Sequence, residues 1–361
     1  GDSAHYSIPS MHGYDTWFAT ESKVPTYDPM WKPAQFDTLN GENLRFGWKA
    51  ISDKSESKSY GTYYWIGEEN RATENLEGDD SKIIVDRLIS FMESTAEKDQ
   101  PFFSTVWFHT PHLPVVATDE MMKEYEEFSH REQIYFSAIS AMDQQVGRIW
   151  NKLCQLGKAE NTMIWFCSDN GPERKTPGSS GIFRERKRSL YEGGVRVPAF
   201  CIWPAKIQSG QITDFPAFTS DYFTTVTSIL NINFTDSRPL DGIDLSEVLN
   251  GENDLRSKPM GFQFRGKMSW VTQEYKLISN ENGKNFELYN LLNDPEENEN
   301  IINDHPQLAN NLKKELFQWL ESCKASANCE DYCTSFALAK IVIPLFYLKQ
   351  TNTPIEIMLV I

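Results

Sequence analysis

The feature that most constrains the fold is an apolar run that ends in a short polar turn. Met163 to Cys167 read Met-Ile-Trp-Phe-Cys, and Ser168-Asp169-Asn170-Gly171 follow directly. A short apolar run bounded by turn residues is typical of a strand buried on both faces of a parallel sheet. Ligands of open α/β sheets bind beyond the carboxyl ends of such strands. Asp169 and Asn170 therefore stand where hard oxygen ligands can hold Ca²⁺ or Mg²⁺.

A basic segment follows this turn after a Gly/Ser/Pro loop. Residues 187–198 read Lys-Arg-Ser-Leu-Tyr-Glu-Gly-Gly-Val-Arg-Val-Pro. The order resembles the type I sulfatase family of the alkaline-phosphatase superfamily. That family has an apolar strand, Asp-Asn-Gly, and then Gly-Lys-x-x-x-(Tyr/Trp)-Glu-Gly-Gly-x-Arg-x-Pro. Every position fits except that Arg186 stands where the family usually has glycine, so the resemblance implies hydrolysis of sulfate esters.

Alternating strand and helix patterns predict an α/β fold with a mostly parallel central sheet sandwiched by helices. The amino-terminal 75 residues indicate long loops with short strands. Helical spacing and short apolar runs predict three helices and two buried strands in the order 79–98, 102–108, 130–156, 198–204 and 220–230. The resemblance implies an alkaline-phosphatase-like arrangement. We expect the catalytic domain, without its amino-terminal segment, to span residues 1–250.

The pattern changes after residue 250. Short strand patterns over 261–264, 268–272 and 275–279 precede a helix pattern over 306–324, which predicts a small antiparallel sheet with one carboxy-terminal helix. Residues 286–297 resemble the family's Glu-Leu-Tyr-Asp-Leu-x-x-Asp-Pro-x-Glu hairpin. We therefore expect a carboxy-terminal α+β subdomain over 251–333. Residues 334–361 are expected to be a non-homologous apolar tail, too interrupted to span a membrane.

Two histidines lie in a proline-rich loop after the predicted strand 102–108. The loop reads His109-Thr110-Pro111-His112-Leu113-Pro114 and resembles the family's Pro-His-x-Pro loop, whose histidine contacts the sulfate ester. The resemblance makes His112 that residue, and His109 is the less supported of the two. It also makes Lys187 the lysine that neutralises charge on the transferring group. Both are predicted catalytic and substrate-binding residues, whereas Asp143 on the helix 130–156 is expected to be structural.

The family's nucleophile is a formylglycine made in the motif Cys/Ser-x-Pro-Ser-Arg. None of the six cysteines lies in that motif, and the similar Ser7-Ile8-Pro9-Ser10-Met11 ends in methionine. The family's early Asp-Asp metal pair is absent too, which leaves Asp169 and Asn170 as half of a metal site. We expect an upstream segment to carry the formylglycine, and the 361 residues alone to be inactive. Two alternatives stay open: a phosphatase or phosphodiesterase of the same superfamily, and a non-catalytic anion-binding protein.

The charge of the chain restricts its partners. A net charge of −16 argues against nucleic acid, because phosphate binding needs a basic face. A sulfated small molecule or glycan must then be met by a local patch made of Arg184, Arg186, Lys187, Arg188 and Arg196. A sequon at Asn233 and a cysteine cluster (Cys323, Cys329, Cys333) that could form a disulfide favour a secreted or lysosomal glycoprotein, although we expect no signal peptide within these 361 residues.

Overall fold

The computed structural model describes residues 7–35, 48–50, 54–55, 57–232, 238–331 and 355–361. The sequon at Asn233 and the third clustered cysteine, Cys333, lie outside these ranges. The chain forms two compact units. The first contains residues 1–166, 175–178 and 340–361, and the second contains residues 167–174 and 179–339. The domain bounds drawn from the sequence stay a prediction, because compactness and domain homology are different criteria.

The first unit is built on a parallel sheet whose central strand comes from the end of the chain. Strands β5 (Phe103–Val106) and β7 (Thr162–Cys167) lie on either side of β13 (Glu356–Val360). Five of the six residues of β7 are buried, as the apolar run predicts. The predicted strand 102–108 is shorter than expected. Residues 355–361, which we expected to belong to a tail, are part of this sheet.

Two long helices pack in the first unit. Helix α1 (Asp80–Glu97) is capped by Asp79, whose side chain accepts a hydrogen bond from the Lys82 N–H. Asp80 and Ser81, the next two residues, are buried. Helix α3 (His130–Gln155) begins with a capping box formed by Ser129 and Glu132. The helices are joined by ion pairs from Arg148 to Asp86 (2.8 Å) and from Lys152 to Glu93 (2.8 Å).

In the described ranges up to residue 75, short strands and loops predominate, as predicted. Strand β1 (Phe18–Thr20) pairs antiparallel with β4 (Tyr64–Ile66). A three-stranded sheet contains β2 (Ala34–Gln35), β3 (Trp48–Lys49) and β6 (Val116–Ala117), with α2 (Asp119–Met122) directly after it. The Thr26 hydroxyl bonds both the N–H and the carbonyl of Val116. These bonds attach an early loop to the core formed by Val115, Ala117, Met122, Ile134, Tyr135 and Ala138.

The second unit contains the predicted antiparallel sheet. Its strands are β9 (Met260–Phe264), β10 (Lys267–Val271), β11 (Tyr275–Ser279) and β12 (Glu287–Asn290), in the order β12-β11-β10-β9. Helix α7 (Pro306–Ala327) packs on this sheet through Ala309, Leu312 and Leu316. Gly261 lets the helix approach, because a Cβ there would lie 2.5 Å from the Trp319 ring.

Four more elements complete the second unit: α4 (Glu192–Val195), β8 (Ala199–Ile202), α5 (Ser220–Ile229) and α6 (Ser246–Leu249). The predicted strand 198–204 was expected to be buried, yet Phe200 is 42% exposed. An apolar run indicates a strand but does not fix which face is covered. Asp221, in the first turn of α5, accepts the Phe218 N–H and forms a fully buried ion pair with Arg256 at 2.9 Å. In the described part of the chain, no helix has the length and apolar character needed to cross a bilayer.

Candidate active site

The Asp-Asn-Gly turn is held by direct contact between two backbone segments of the second unit. Strand β7 ends at Cys167, and the Ser168 N–H donates to the Pro198 carbonyl (3.2 Å). The Gly171 N–H donates to the Gly194 carbonyl at 3.0 Å. A Cβ on Gly171 would lie 1.9 Å from the Gly193 carbonyl oxygen, so only glycine fits there. The two glycine-containing motifs predicted from the sequence therefore interlock.

Lys187 is attached to the same turn through its backbone. Its N–H donates to the Pro172 carbonyl at 3.1 Å, and the Gly193 N–H donates to the Arg184 carbonyl at 2.8 Å. These bonds bring the backbones of Asp169, Asn170 and Lys187 into one loop cluster. Asp169 is exposed, whereas Asn170 and Lys187 are half-buried. The structure thus brings three of the four predicted site residues together within one unit.

The basic patch resolves into paired arginines and one lysine with no paired side chain. Arg184 donates to the Tyr289 hydroxyl and the Glu297 carbonyl, both at 2.9 Å. Arg188 pairs with Glu173 at 2.6 Å, Arg196 lies 3.7 Å from Glu192, and Arg186 reaches the Glu173 carbonyl at 3.5 Å. Within the described ranges, the Lys187 ammonium makes no hydrogen bond or ion pair. It is therefore the cation of this patch that can meet an anion without first losing a partner.

A buried ion cluster holds the Glu-Gly-Gly turn in place. Lys276, fully buried on β11, lies 2.8 Å from Glu192 and 2.9 Å from Glu297. The Glu297 carboxylate also accepts the Glu192 N–H at 2.6 Å. Burial raises the pKa of Glu297, and the charge of Lys276 opposes that rise. Glu192 is thus a positioning residue of the turn, because its side chain is directed to Lys276.

Hydrogen bonds and a cation–π contact of two tyrosines stabilise the same loop. Tyr191 donates to Glu287 at 2.5 Å, Tyr289 donates to the same carboxylate at 2.7 Å, and Arg184 stacks over the Tyr191 ring. Burial, followed by the hydrogen bond to Glu287, raises the pKa of Tyr289 to about 12. Both phenols therefore stay protonated donors at physiological pH, and Tyr191 joins the loop to β12, the strand that carries both Glu287 and Tyr289.

His112 lies in the first unit, in the loop that follows β5. Its side chain is exposed, its Nδ1 lies 2.8 Å from the Leu113 carbonyl, and its N–H donates to the His109 carbonyl at 2.6 Å. The peptide bonds before Pro111 and Pro114 are both cis. The predicted role of His112 toward a sulfate ester stays a prediction.

His109 belongs to a buried network that the sequence did not reveal. Its Nδ1 lies 2.8 Å from Asp80, which is fully buried, and its Nε2 lies 3.0 Å from the Thr20 hydroxyl. Tyr64 donates to the second carboxylate oxygen of Asp80 at 2.5 Å. Burial and the adjacent Asp80 carboxylate raise the pKa of the Tyr64 phenol well above its usual value. His109 is therefore orientated on both ring nitrogens, and no local spacing predicts this long-range contact.

Asp169 and Asn170 fit part of a Ca²⁺ ligand set. Asn170 Nδ2 donates to the Gly171 carbonyl at 3.0 Å, so the amide nitrogen is engaged and the amide oxygen is available. Asp169 adds an exposed carboxylate. Ca²⁺ usually takes six to eight oxygen ligands, and the described residues contain no cluster of three or more His, Cys, Asp or Glu that could hold a metal. The pair can therefore contribute to a cation site but does not complete one.

The comparison with known families decides the assignment. The sulfatase family model matches residues 3–232, and the model for the carboxy-terminal part of N-sulphoglucosamine sulphohydrolase matches residues 178–325. The chain belongs to the sulfatase family. A sulfatase from Formosa agariphila is 28% identical over 286 residues, which cover 68% of this chain and 52% of that protein. The N-acetylgalactosamine-6-sulfatase of Mus musculus is 29% identical, with 74% and 48% covered.

The solved structures confirm the predicted fold class. Ps i-CgsB, crystallised with a neocarrahexaose, has a TM-score of 0.67 at 21% identity and covers 78% of this chain and 65% of that one. BT4656, crystallised with D-glucosamine-2-N,6-O-disulfate, has a TM-score of 0.59 at 16% identity, with 86% and 80% covered. The chain spans about half the length of the curated relatives it matches.

The disulfide that could form among Cys323, Cys329 and Cys333 stays a prediction, because Cys333 lies outside the described residues. Cys323 and Cys329 are both unbonded thiols in the described part of the chain. Burial raises the pKa of Cys167 and raises that of Cys201 to about 12. These two thiols are therefore protonated at neutral pH and behave as small apolar side chains, as their positions in strand-like runs predict.

Proposed function

We propose that the protein hydrolyses sulfate esters of aryl or carbohydrate compounds. The observation that carries the proposal is the interlocked pair of turns that brings Asp169, Asn170 and an unpaired Lys187 into one loop cluster of a sulfatase-family chain. An anion site needs a local positive charge, since the chain as a whole carries a net charge of −16. Lys187 meets that need.

The residues divide the work by their chemistry. Lys187 stabilises the negative charge on the transferring group, and His112 hydrogen-bonds the ester or the nucleophile. Asp169 and Asn170 supply hard oxygens to a divalent cation, Ca²⁺ or Mg²⁺, which polarises sulfate oxygens when bound. By resemblance the nucleophile is a formylglycine, and its motif does not occur in the 361 residues.

Relatives guide the choice of substrate and compartment. One is named for N-acetylgalactosamine-6-sulfate and another, 36% identical over 149 residues, is a steryl-sulfatase of Homo sapiens. The first name supports a sulfated carbohydrate, and arylsulfatase G of Rattus norvegicus, 30% identical over 181 residues, supports an aryl sulfate as the alternative. A secreted or lysosomal location is part of the same proposal, and glycan attachment at Asn233 in a eukaryotic secretion host would support it.

The proposal is tested on Lys187 in a form of the protein that also carries the formylglycine motif. Lys187→Ala removes a charge partner of the transition state, so kcat/KM should fall at least ~100-fold. Arg188→Ala is the matched control, because Arg188 already pairs with Glu173 and is half exposed. Equal losses in the two variants would show that the patch is only a solvated surface.

A further inference from the structure

The strand β13 reaches its place between β5 and β7 from the far end of the chain. Ile357 is in register with Phe103 on one side and with Met163 on the other. The ladder toward β5 includes Ile357 N–H to the Phe102 carbonyl (3.0 Å) and Phe108 N–H to the Ile361 carbonyl (2.9 Å). All three strands run parallel. The segment therefore pairs with the edge of β5 on one side and with the edge of β7 on the other.

Both faces of β13 are covered. The side chains of Ile357, Met358 and Val360 are at most 1% exposed. Successive residues of a strand point to opposite faces, so a segment bound here needs apolar residues at consecutive positions. The sequence Ile-Glu-Ile-Met-Leu-Val-Ile at 355–361 meets that requirement after Glu356.

Glu356 sets the register of the segment. Its side chain is 2% exposed, and its carboxylate forms an ion pair with Lys158 at 3.1 Å. Lys158 immediately precedes the turn that leads into β7. A shift of one residue would turn Glu356 to the opposite face, away from Lys158. A buried carboxylate without its partner is strongly unfavourable, so Glu356 and Lys158 together select one alignment.

One core of the first unit is formed without β13. The cluster centred on Val115, Ile134 and Ala138 contains no residue of 355–361. Helices α1 and α3, whose ends lead into β5 and β7, are joined by the ion pairs of Arg148 and Lys152. The two helices that lead into β5 and β7 are thus joined by contacts that do not involve β13.

We propose that the groove between β5 and β7 is a strand-binding site for a parallel segment with an acidic residue followed by apolar ones, and that residues 355–361 are a ligand that a separate peptide can replace. The mode is the addition of an extended peptide to sheet edges, in which main-chain bonds provide affinity and side-chain pockets provide specificity. In this mode Lys158 recognises the acidic residue by its charge. The buried surfaces on both faces of the strand select apolar residues at the other positions.

The register is tested on the full chain by a double-mutant cycle. Lys158→Met leaves a buried carboxylate unpaired and should lower the unfolding midpoint, whereas the double variant Lys158→Met/Glu356→Gln should recover part of that loss. Lys152→Met with Glu93→Gln is the matched control, because that ion pair is nearer to solvent and should give nearly additive effects. Additive effects for Lys158 and Glu356 as well would overturn the register.

Replacement is tested with a labelled peptide of residues 355–361. It should bind the full-length Met358→Asp variant and raise its unfolding midpoint, and a Glu356→Gln peptide should bind at least ~10-fold more weakly. The wild-type chain should bind at least ~100-fold more weakly, since its own segment competes at high effective concentration. Equal binding to variant and wild type, or no rise in midpoint, would overturn the proposal.

If the Met358→Asp variant does not fold, hydrogen exchange on the wild-type chain tests whether residues 355–361 occupy the groove. Amides of 102–108 and 355–361 that share the ladder should be protected and should open together. Exchange of 355–361 at the rate of an unfolded peptide, with 102–108 still protected, would show that the segment does not occupy the groove.

Discussion

The two histidines after β5 make different contacts, and that difference predicts different roles. His112 is exposed, while His109 is bound on both ring nitrogens by Asp80 and Thr20. In a form that carries the formylglycine motif, His112→Gln should change the pH-rate profile, because the proposed role of His112 is to hydrogen-bond the ester or the nucleophile through its imidazole. The measurement is kcat/KM between pH 5 and 9.

His109→Gln is the comparison for that prediction. It should affect turnover less than His112→Gln but should lower the unfolding midpoint, because Asp80 would lose the imidazole beside it in a buried site. If His109→Gln damages turnover more than His112→Gln, with stability unchanged, the two assignments must be exchanged.

Asp79 gives the first unit a pH dependence. Burial, with a smaller contribution from Asp80, raises the pKa of Asp79 to about 7 in the folded protein. The folded state then holds a proton that the unfolded state releases near its ordinary pKa of 3.8. Between these values the folded state binds more protons, so the free energy of unfolding should fall as pH rises from about 4 to about 7.

The test is urea unfolding at several pH values for wild type and Asp79→Asn. Asparagine keeps the cap of α1 but cannot titrate. The slope between pH 4 and pH 7 should become flatter in the variant, with little change above pH 7. A difference between the two proteins that does not depend on pH would contradict the assignment.

At the scale of elements, the interlocked turns make Gly171 irreplaceable. An alanine Cβ there would lie 1.9 Å from the Gly193 carbonyl oxygen, which is backbone and cannot rotate away. Gly171→Ala should therefore destabilise the fold and displace Asp169 and Asn170. Gly147→Ala in α3 is the control: no atom lies within 4 Å of the added Cβ, and alanine favours a helix. Thermal unfolding should show a lower midpoint only for Gly171→Ala.

Elements with strong periodicity could be predicted from the sequence, and those defined by distant partners could not. The helix 130–156 matches α3 within one residue at each end, because its apolar spacing and the flanking Ser129 and Gly157 are local signals. The network of Asp80 and His109 joins residues 29 positions apart. Residues 355–361 looked like a tail, since the prolines before them hide a strand whose partners lie more than 190 residues away.

The same limit applies to the candidate site. The sequence supplied Asp169, Asn170 and Lys187 because their order follows a family pattern. It could not distinguish Lys187 from its basic neighbours by physical means. That distinction depends on which arginines are paired, and the partners of Arg184 lie more than 100 positions away.

For the whole molecule, the sharpest prediction concerns Ca²⁺ binding by residues 1–361. Asp169 and Asn170 offer two side chains and one charge, whereas tight sites take six to eight oxygens with several carboxylates. Binding should therefore be weak, with a Kd of about 10⁻⁴ M or higher. The net charge of −16 attracts cations without specificity, and added salt should weaken that component.

Calorimetric titration of wild type, Asp169→Asn and Asp143→Asn separates the two contributions. Both variants remove one negative charge, but Asp169→Asn alone should lower the salt-resistant part. Micromolar affinity that Asp169→Ala abolishes would show that these residues already form a complete cation site.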